Sequence, residues 1–208
     1  MYHELKVRIR IDILMFSWFS EHYIEVLGCV TGLIYLYFSI KQIIWLWPLG
    51  ILTSFFYIFV FFNEKFYAGM VLQVYYFFIS IYGWYYWLKG EKEESKDLGN
   101  VKITSLKEWF IFLLVTLLLT VIIGYVLDNY TDSPLPYWDA FTSSGSIIAT
   151  WMLARKYLEN WLFWIIVDFF SMGTYFYKGL YPTVLLFFVY TSLAFIGYIT
   201  WKKHLKEE

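Results

Sequence analysis

The chain reads as long unbroken apolar runs separated by brief polar clusters. From Trp109 to Leu127 only Thr116, Thr120 and Gly124 interrupt large apolar side chains. Transmembrane strands would alternate apolar and polar positions, and these runs do not, so helices are predicted. Crossing a bilayer as a helix takes about 20 mostly apolar residues. Seven stretches serve: 23–40, 43–62, 66–88, 108–127, 137–154, 160–177 and 180–201. The clusters between them are short: Asn63-Glu64-Lys65, Asp128–Pro136 and Tyr177-Lys178-Gly179. Pro134 and Pro136 stop one helix and start the next. Gly90–Lys107, rich in Lys and Glu, reads as a solvated cytoplasmic loop.

A second pattern lies over the first. Shifted by 114 positions, residues 47–89 fall on residues 161–203 without a gap. Trp47 meets Trp161, Tyr76 meets Tyr190, Gly83 meets Gly197 and Trp87 meets Trp201. Three spans, one linker span and three spans set the halves an even number of crossings apart. They are expected to be parallel repeats about an axis along the membrane normal. The segments are then 1–22 (N-terminal), 23–89 (first repeat), 90–136 (loop and linker helix), 137–203 (second repeat) and 204–208 (tail). Residues 1–22 read either as an interfacial helix or as lying partly ahead of a true start at Met15.

Composition agrees with an all-α membrane protein. Hydrophobic residues make up 60% of the 208, aromatics 25% and charged residues only 16%, too few to cover a soluble surface. Lys and Arg divide eleven to five between the two sides, which predicts the N-terminus outside and the C-terminus cytoplasmic. The net charge of −1 leaves no footprint for nucleic acid. Cys29 stands alone, and His3, His22 and His204 lie near the ends, so neither a disulfide nor a metal centre is predicted. No cofactor motif is present, and no enzyme is expected.

The candidate chemistry is one carboxylate among rings. Asp168 sits at the centre of its span, where an exposed charge costs at least ~2.5–3.5 kcal/mol. It should face a cavity or a partner: substrate, a neighbouring helix, or a structural counter-ion. Trp161, Trp164, Asp168, Ser171 and Tyr175 form one helical stripe. Gln73, Tyr76, Ser80, Gly83 or Trp84, and Trp87 form another. Such stripes suit a flat polar solute, and a carboxylate beside indole faces suits an organic cation. The predicted substrate contacts are Gln73, Tyr76, Ser80, Trp84, Trp161, Trp164, Asp168 and Tyr175. Trp45, Trp47, Tyr85, Tyr86, Trp87, Trp109 and Trp201 lie near span ends and read mainly as an interfacial belt. Where Asp168 stands in one repeat, Ser54 stands in the other, so the scaffold repeats while the polar site does not.

Trp47-Pro48-Leu49-Gly50, Gln73-Val74-Tyr75-Tyr76 and Gly83-Trp84-Tyr85-Tyr86-Trp87 resemble the PnuC family of vitamin transporters. Asp139-Ala140-Phe141-Thr142, Arg155-Lys156, Glu159-Asn160-Trp161, Lys178-Gly179-Leu180-Tyr181 and Gly197 to Trp201 are similar to it as well, so the likeness spans about 23–203. The resemblance implies a 3+1+3 fold akin to SWEET proteins, in a homotrimer in the bacterial inner membrane. It implies facilitated diffusion of a vitamin, usually nicotinamide riboside, trapped inside by a cytosolic kinase. Thiamine is the alternative substrate, with riboflavin carried by other members. An intramembrane enzyme or a receptor is a distant alternative.

Overall fold

The computed structural model describes residues 29–63, 67–92 and 101–205, and its fold is all-helical. Among the described residues seven helices follow in order: α1 (Cys29–Ile40 as described), α2 (Leu46–Asn63), α3 (Tyr67–Lys92), α4 (Leu106–Tyr130), α5 (Pro136–Ala154), α6 (Asn160–Tyr177) and α7 (Tyr181–His204). The N-terminal segment 1–22 lies outside the described residues, as do 64–66 and most of the loop after α3. Three of the described helices, α2, α4 and α7, are long and apolar enough to cross a membrane by length and composition alone. Buried polar side chains lower the hydropathy of α5 and α6, and tyrosines that of α3.

Local chemistry places the helix ends. Ser105 caps α4 in a capping box with Glu108, whose carboxylate accepts from the Ser105 N–H at 2.8 Å. Pro136 opens α5, where its missing N–H costs nothing. Gly179, at φ 72°, ends the turn after α6 in the left-handed region that glycine enters without strain. Along the apolar helices, hydroxyls bond back to their own backbone. Thr116 donates to the Phe112 carbonyl at 2.8 Å and Thr150 to that of Ser146 at 2.8 Å.

The offset of 114 recurs in the hydrogen bonds, beginning before residue 47. Gln42 and Lys156 both take left-handed φ, 53° and 58°. The Ile43 N–H bonds the Phe38 carbonyl at 2.8 Å, and the Tyr157 N–H bonds that of Met152 at 2.9 Å. Leu46 to Ile43 and Asn160 to Tyr157 follow the same rule. One turn thus ends α1 and its counterpart ends α5.

Most of the tryptophans read as belt are core. Trp47 and Trp201 are fully buried and Trp87 nearly so, while Trp45 and Tyr85 are the exposed ones. Trp47 meets Trp87 edge to face at 5.4 Å, and Trp161 meets Trp201 at 5.6 Å. A Cβ on Gly83 would fall 2.5 Å from the Trp47 ring, and one on Gly197 2.6 Å from Trp161. Glycine therefore makes the slot that each indole fills. Tyr86, also read as belt, is buried beneath Arg155.

The stretch before α4 differs from a solvated loop. Val101 and Thr104 are buried, and Lys102 pairs with Tyr157 in a parallel bridge. Glu159 accepts from both the N–H and the hydroxyl of Thr104, at 2.9 and 2.6 Å. Packing of α4 on α5, α5 on α3 and α6, and α2 on α3 completes the body, with α6 on α7.

Candidate functional site

A cavity of about 310 Å³ opens among α1, α2, α3, α5, α6 and α7. Helix α4 contributes nothing to its wall. Positions related by the repeat face it from both sides: Tyr76 and Tyr190, Ser54 and Asp168, Gly50 and Trp164. The last pair is unequal in bulk. Trp164 fills its side, while a Cβ on Gly50 would already press on the Ser80 hydroxyl at 2.7 Å.

Asp168 comes from the middle of α6 and is only 5% exposed. Among the described residues nothing bonds or pairs with its carboxylate, and no Lys, Arg or His lines the cavity. The side chains of Thr53, Ser54 and Ser80 also line it and make no hydrogen bond to another described residue, and neither does that of Gln73. Donors and acceptors that are buried in a membrane protein and left open mark a place for a polar guest or water. The Trp161 indole N–H is likewise buried without a partner.

Six of the eight predicted contacts line the cavity: Gln73, Tyr76, Ser80, Trp161, Trp164 and Asp168. Trp84 and Tyr175 do not. The α3 stripe continues through Gly83, which receives the Trp47 ring, and that rotation turns Trp84 outward at 38% exposed. Tyr175 lies two turns beyond Asp168 and stacks on Phe187 at 5.2 Å. Sequence reading missed Gly32 and Tyr35 on α1, Thr53, Ser54 and Tyr57 on α2, and Tyr190 on α7. Tyr190 was within reach, because the repeat carries Tyr76 onto it.

Beyond the cavity, the end where α3 and α5 finish is densely tied. Arg155 donates to the Tyr82 hydroxyl at 2.9 Å and lies 4.8 Å over the Tyr86 ring. The Tyr157 hydroxyl donates to Glu108 at 2.5 Å. Burial first, and then that carboxylate, push its pKa up to about 12, so it stays a donor at any working pH. Among the described residues no three His, Cys, Asp or Glu side chains come together to hold a metal.

The profile of the family described as nicotinamide mononucleotide transporter matches residues 22–203. The chain belongs to that family. It is a membrane transporter, not an enzyme. The nicotinamide riboside transporter PnuC of Escherichia coli is 26% identical, over 89% of this chain and 87% of that one. A riboflavin/roseoflavin transporter, RibM of Streptomyces davaonensis, is 24% identical over 89% and 88%. The crystal structure of a vitamin B3 transporter, PnuC, superposes with a TM-score of 0.72 at 24% identity, covering 95% of this chain and 88% of that one. The likeness extends over nearly the whole transporter, so its fold is the family's.

Proposed function

We propose that this transporter carries nicotinamide riboside by facilitated diffusion. The observation that carries the proposal is Asp168, buried and, among the described residues, unpartnered, set among Trp and Tyr rings in a cavity that no described Lys, Arg or His lines. The nicotinamide ring of the riboside is a flat cation and its ribose is rich in hydroxyls. Asp168 and the indoles suit the first, and Gln73, Thr53, Ser54 and Ser80 suit the second. The mononucleotide named in the family description adds a phosphate, for which the described residues of the cavity offer no positive charge. Riboflavin is neutral and gains nothing from the charge of the carboxylate. Thiamine, also a cationic aromatic, is the second reading that Asp168 favours. Titrating the purified protein with riboside, mononucleotide, thiamine and riboflavin tests this. The riboside should bind at least about 100-fold more tightly than the mononucleotide, the scale of a lost charge-compatible contact. Equal affinity for the two would overturn the reading.

The architecture proposed with it is a SWEET-like 3+1+3 of parallel repeats. The Trp87 indole donates to the Ala154 carbonyl and Trp201 to that of Ile40, each at 3.2 Å. These bonds are images of one another under the 114 shift, and they join the last turns of α3 and α5, and of α7 and α1. An axis in the membrane plane would send those ends to opposite surfaces. An axis along the normal keeps them on one side, which the charge count makes cytoplasmic, leaving the N-terminus outside. The family resemblance supports two partners: further copies of the chain in a homotrimer, and a cytosolic kinase that traps the vitamin. It supports the bacterial inner membrane as location.

A further inference from the structure

Two seams join the halves at the end where α1, α3, α5 and α7 finish. Equivalent tryptophans bridge them, yet the seams are unequal. At the α3–α5 seam, Tyr82 stacks on Trp151 at 5.3 Å with planes 10° apart. Arg155 bonds Tyr82 and covers Tyr86, and Lys156 lies 4.6 Å over Trp87. Lys102 donates to the Tyr86 hydroxyl at 3.2 Å while its own backbone is bridged to the turn after α5. That turn is buried from Lys156 to Asn160.

The repeat carries these residues onto Tyr37, Ile196, Thr200, Lys41 and Gln42 at the α1–α7 seam. No stack, guanidinium or bridged strand can form from that set. Tyr37 is 54% exposed, Ile196 51%, and Trp45 in the corresponding turn 65%. At this end, among the described residues, Trp201 supplies the only hydrogen bonds across the seam, shared between the Ser39 and Ile40 carbonyls at 3.2 Å each. Ser39 and Ala194 of these two helices also line the cavity, so parting them would open it.

We propose that this end of the transporter opens on one side only: α1 parts from α7, while the α3–α5 seam stays closed as the hinge. The inference rests on the transport reading, since a cavity that never opened would need no gate. Two packed surfaces separate where fewest polar ties must break, and the repeat supplies an internal control for what the tied seam looks like.

The test uses the full chain with Cys29→Ser and one of two equivalent cysteine pairs. The first is Lys41→Cys with Thr200→Cys, and the second Arg155→Cys with Tyr86→Cys. Each pair is joined by a short bifunctional thiol reagent. Linking α1 to α7 should abolish riboside uptake into vesicles with binding retained in detergent. Linking α3 to α5 should leave uptake within about twofold of the unlinked pair, since the covalent link replaces a closed contact. Spin labels on the first pair give a readout free of substrate, two distance populations across α1–α7; the second pair is left unlabelled, because Arg155 and Tyr86 are themselves ties of the α3–α5 seam. Uptake that survives the first link, uptake lost only with the second, or a single narrow distance across α1–α7 would overturn the proposal. If the unlinked protein takes up no riboside, the transport reading fails, and the spin-label distances still decide the gate.

Discussion

Asp168 is the residue on which substrate choice turns. Its carboxylate sits in a site poorer in water than the surface, so attraction to a cationic ring is weakly screened. Replacing it with Asn keeps shape and most hydrogen bonding but removes the charge. The loss is expected to be ~1.5–3 kcal/mol, the scale of a charged hydrogen bond, or about one to two orders of magnitude in affinity. The reduced riboside, neutral and of similar shape, should lose far less. Calorimetry with both ligands on both proteins reads this directly. Equal losses, or none, would reduce Asp168 to a helix-pinning role. A carboxylate in mid-span was plain in the sequence because hydrocarbon makes it expensive. The hydroxyls of Thr53 and Ser54 were not, because a short polar side chain can satisfy itself on its own backbone, as Thr150 does.

Between elements, the two glycine–tryptophan slots separate stability from binding. A methyl on Gly83 or on Gly197 would collide with a fully buried indole, at 2.5 and 2.6 Å. Either Gly→Ala change should cost ~1–3 kcal/mol and lower the melting temperature in detergent. Only Trp161 lines the cavity, so Gly197→Ala should also weaken vitamin binding while Gly83→Ala spares it. Matching affinities in the two variants would show that the Trp161 ring does not shape the site. The seams allow a second comparison. Trp201→Phe removes the polar tie of the α1–α7 seam, and Trp87→Phe one tie among several. With cysteine at Ser39 and Cys29→Ser, labelling by an impermeant thiol reagent should rise about 2- to 10-fold in Trp201→Phe, the worth of one hydrogen bond. In Trp87→Phe it should stay near the starting rate, and equal rises in both would count against an uneven pair of seams. These elements were legible to different degrees. The α6 limits, 160–177, were read off in full because the polar cluster Arg155–Asn160 and the Tyr177-Lys178-Gly179 turn frame the run. Only the end of the loop before α4 departs from its solvated reading: the Lys and Glu content hides the buried Val101 and Thr104, and Glu159 reaches Thr104 from 55 residues away. Tryptophans near span ends look alike in sequence whether they face headgroups or a glycine slot. The glycine partners, 36 residues on in both repeats, were the available signal.

For the whole molecule, orientation and energetics follow from charge. With eleven Lys and Arg on one side against five on the other, a reporter fused after Glu208 should work only in its cytoplasmic form. Periplasmic activity there would reverse the proposed topology. Coupling is the deeper question. Symport needs substrate and ion bound together, through separate groups that favour each other's occupancy. The cavity holds one carboxylate and, among the described residues, no His and no second acid. A proton and a cationic vitamin would compete for the same oxygens, which excludes symport through Asp168, and exchange would further require that the empty, deprotonated carrier be unable to reorient. Nor do the described helices break to offer a ring of backbone carbonyls to sodium, as coupled carriers do. The transporter should therefore only equilibrate its substrate, with net accumulation left to later phosphorylation. In vesicles holding the purified protein alone, labelled riboside should rise to the outside concentration and stop. Proton or sodium gradients imposed in either direction should leave that plateau unchanged, though they can alter the rate of approach. A plateau several-fold above the outside concentration, collapsing when the gradient is dissipated, would mean that a coupling site exists beyond the Asp168 cavity.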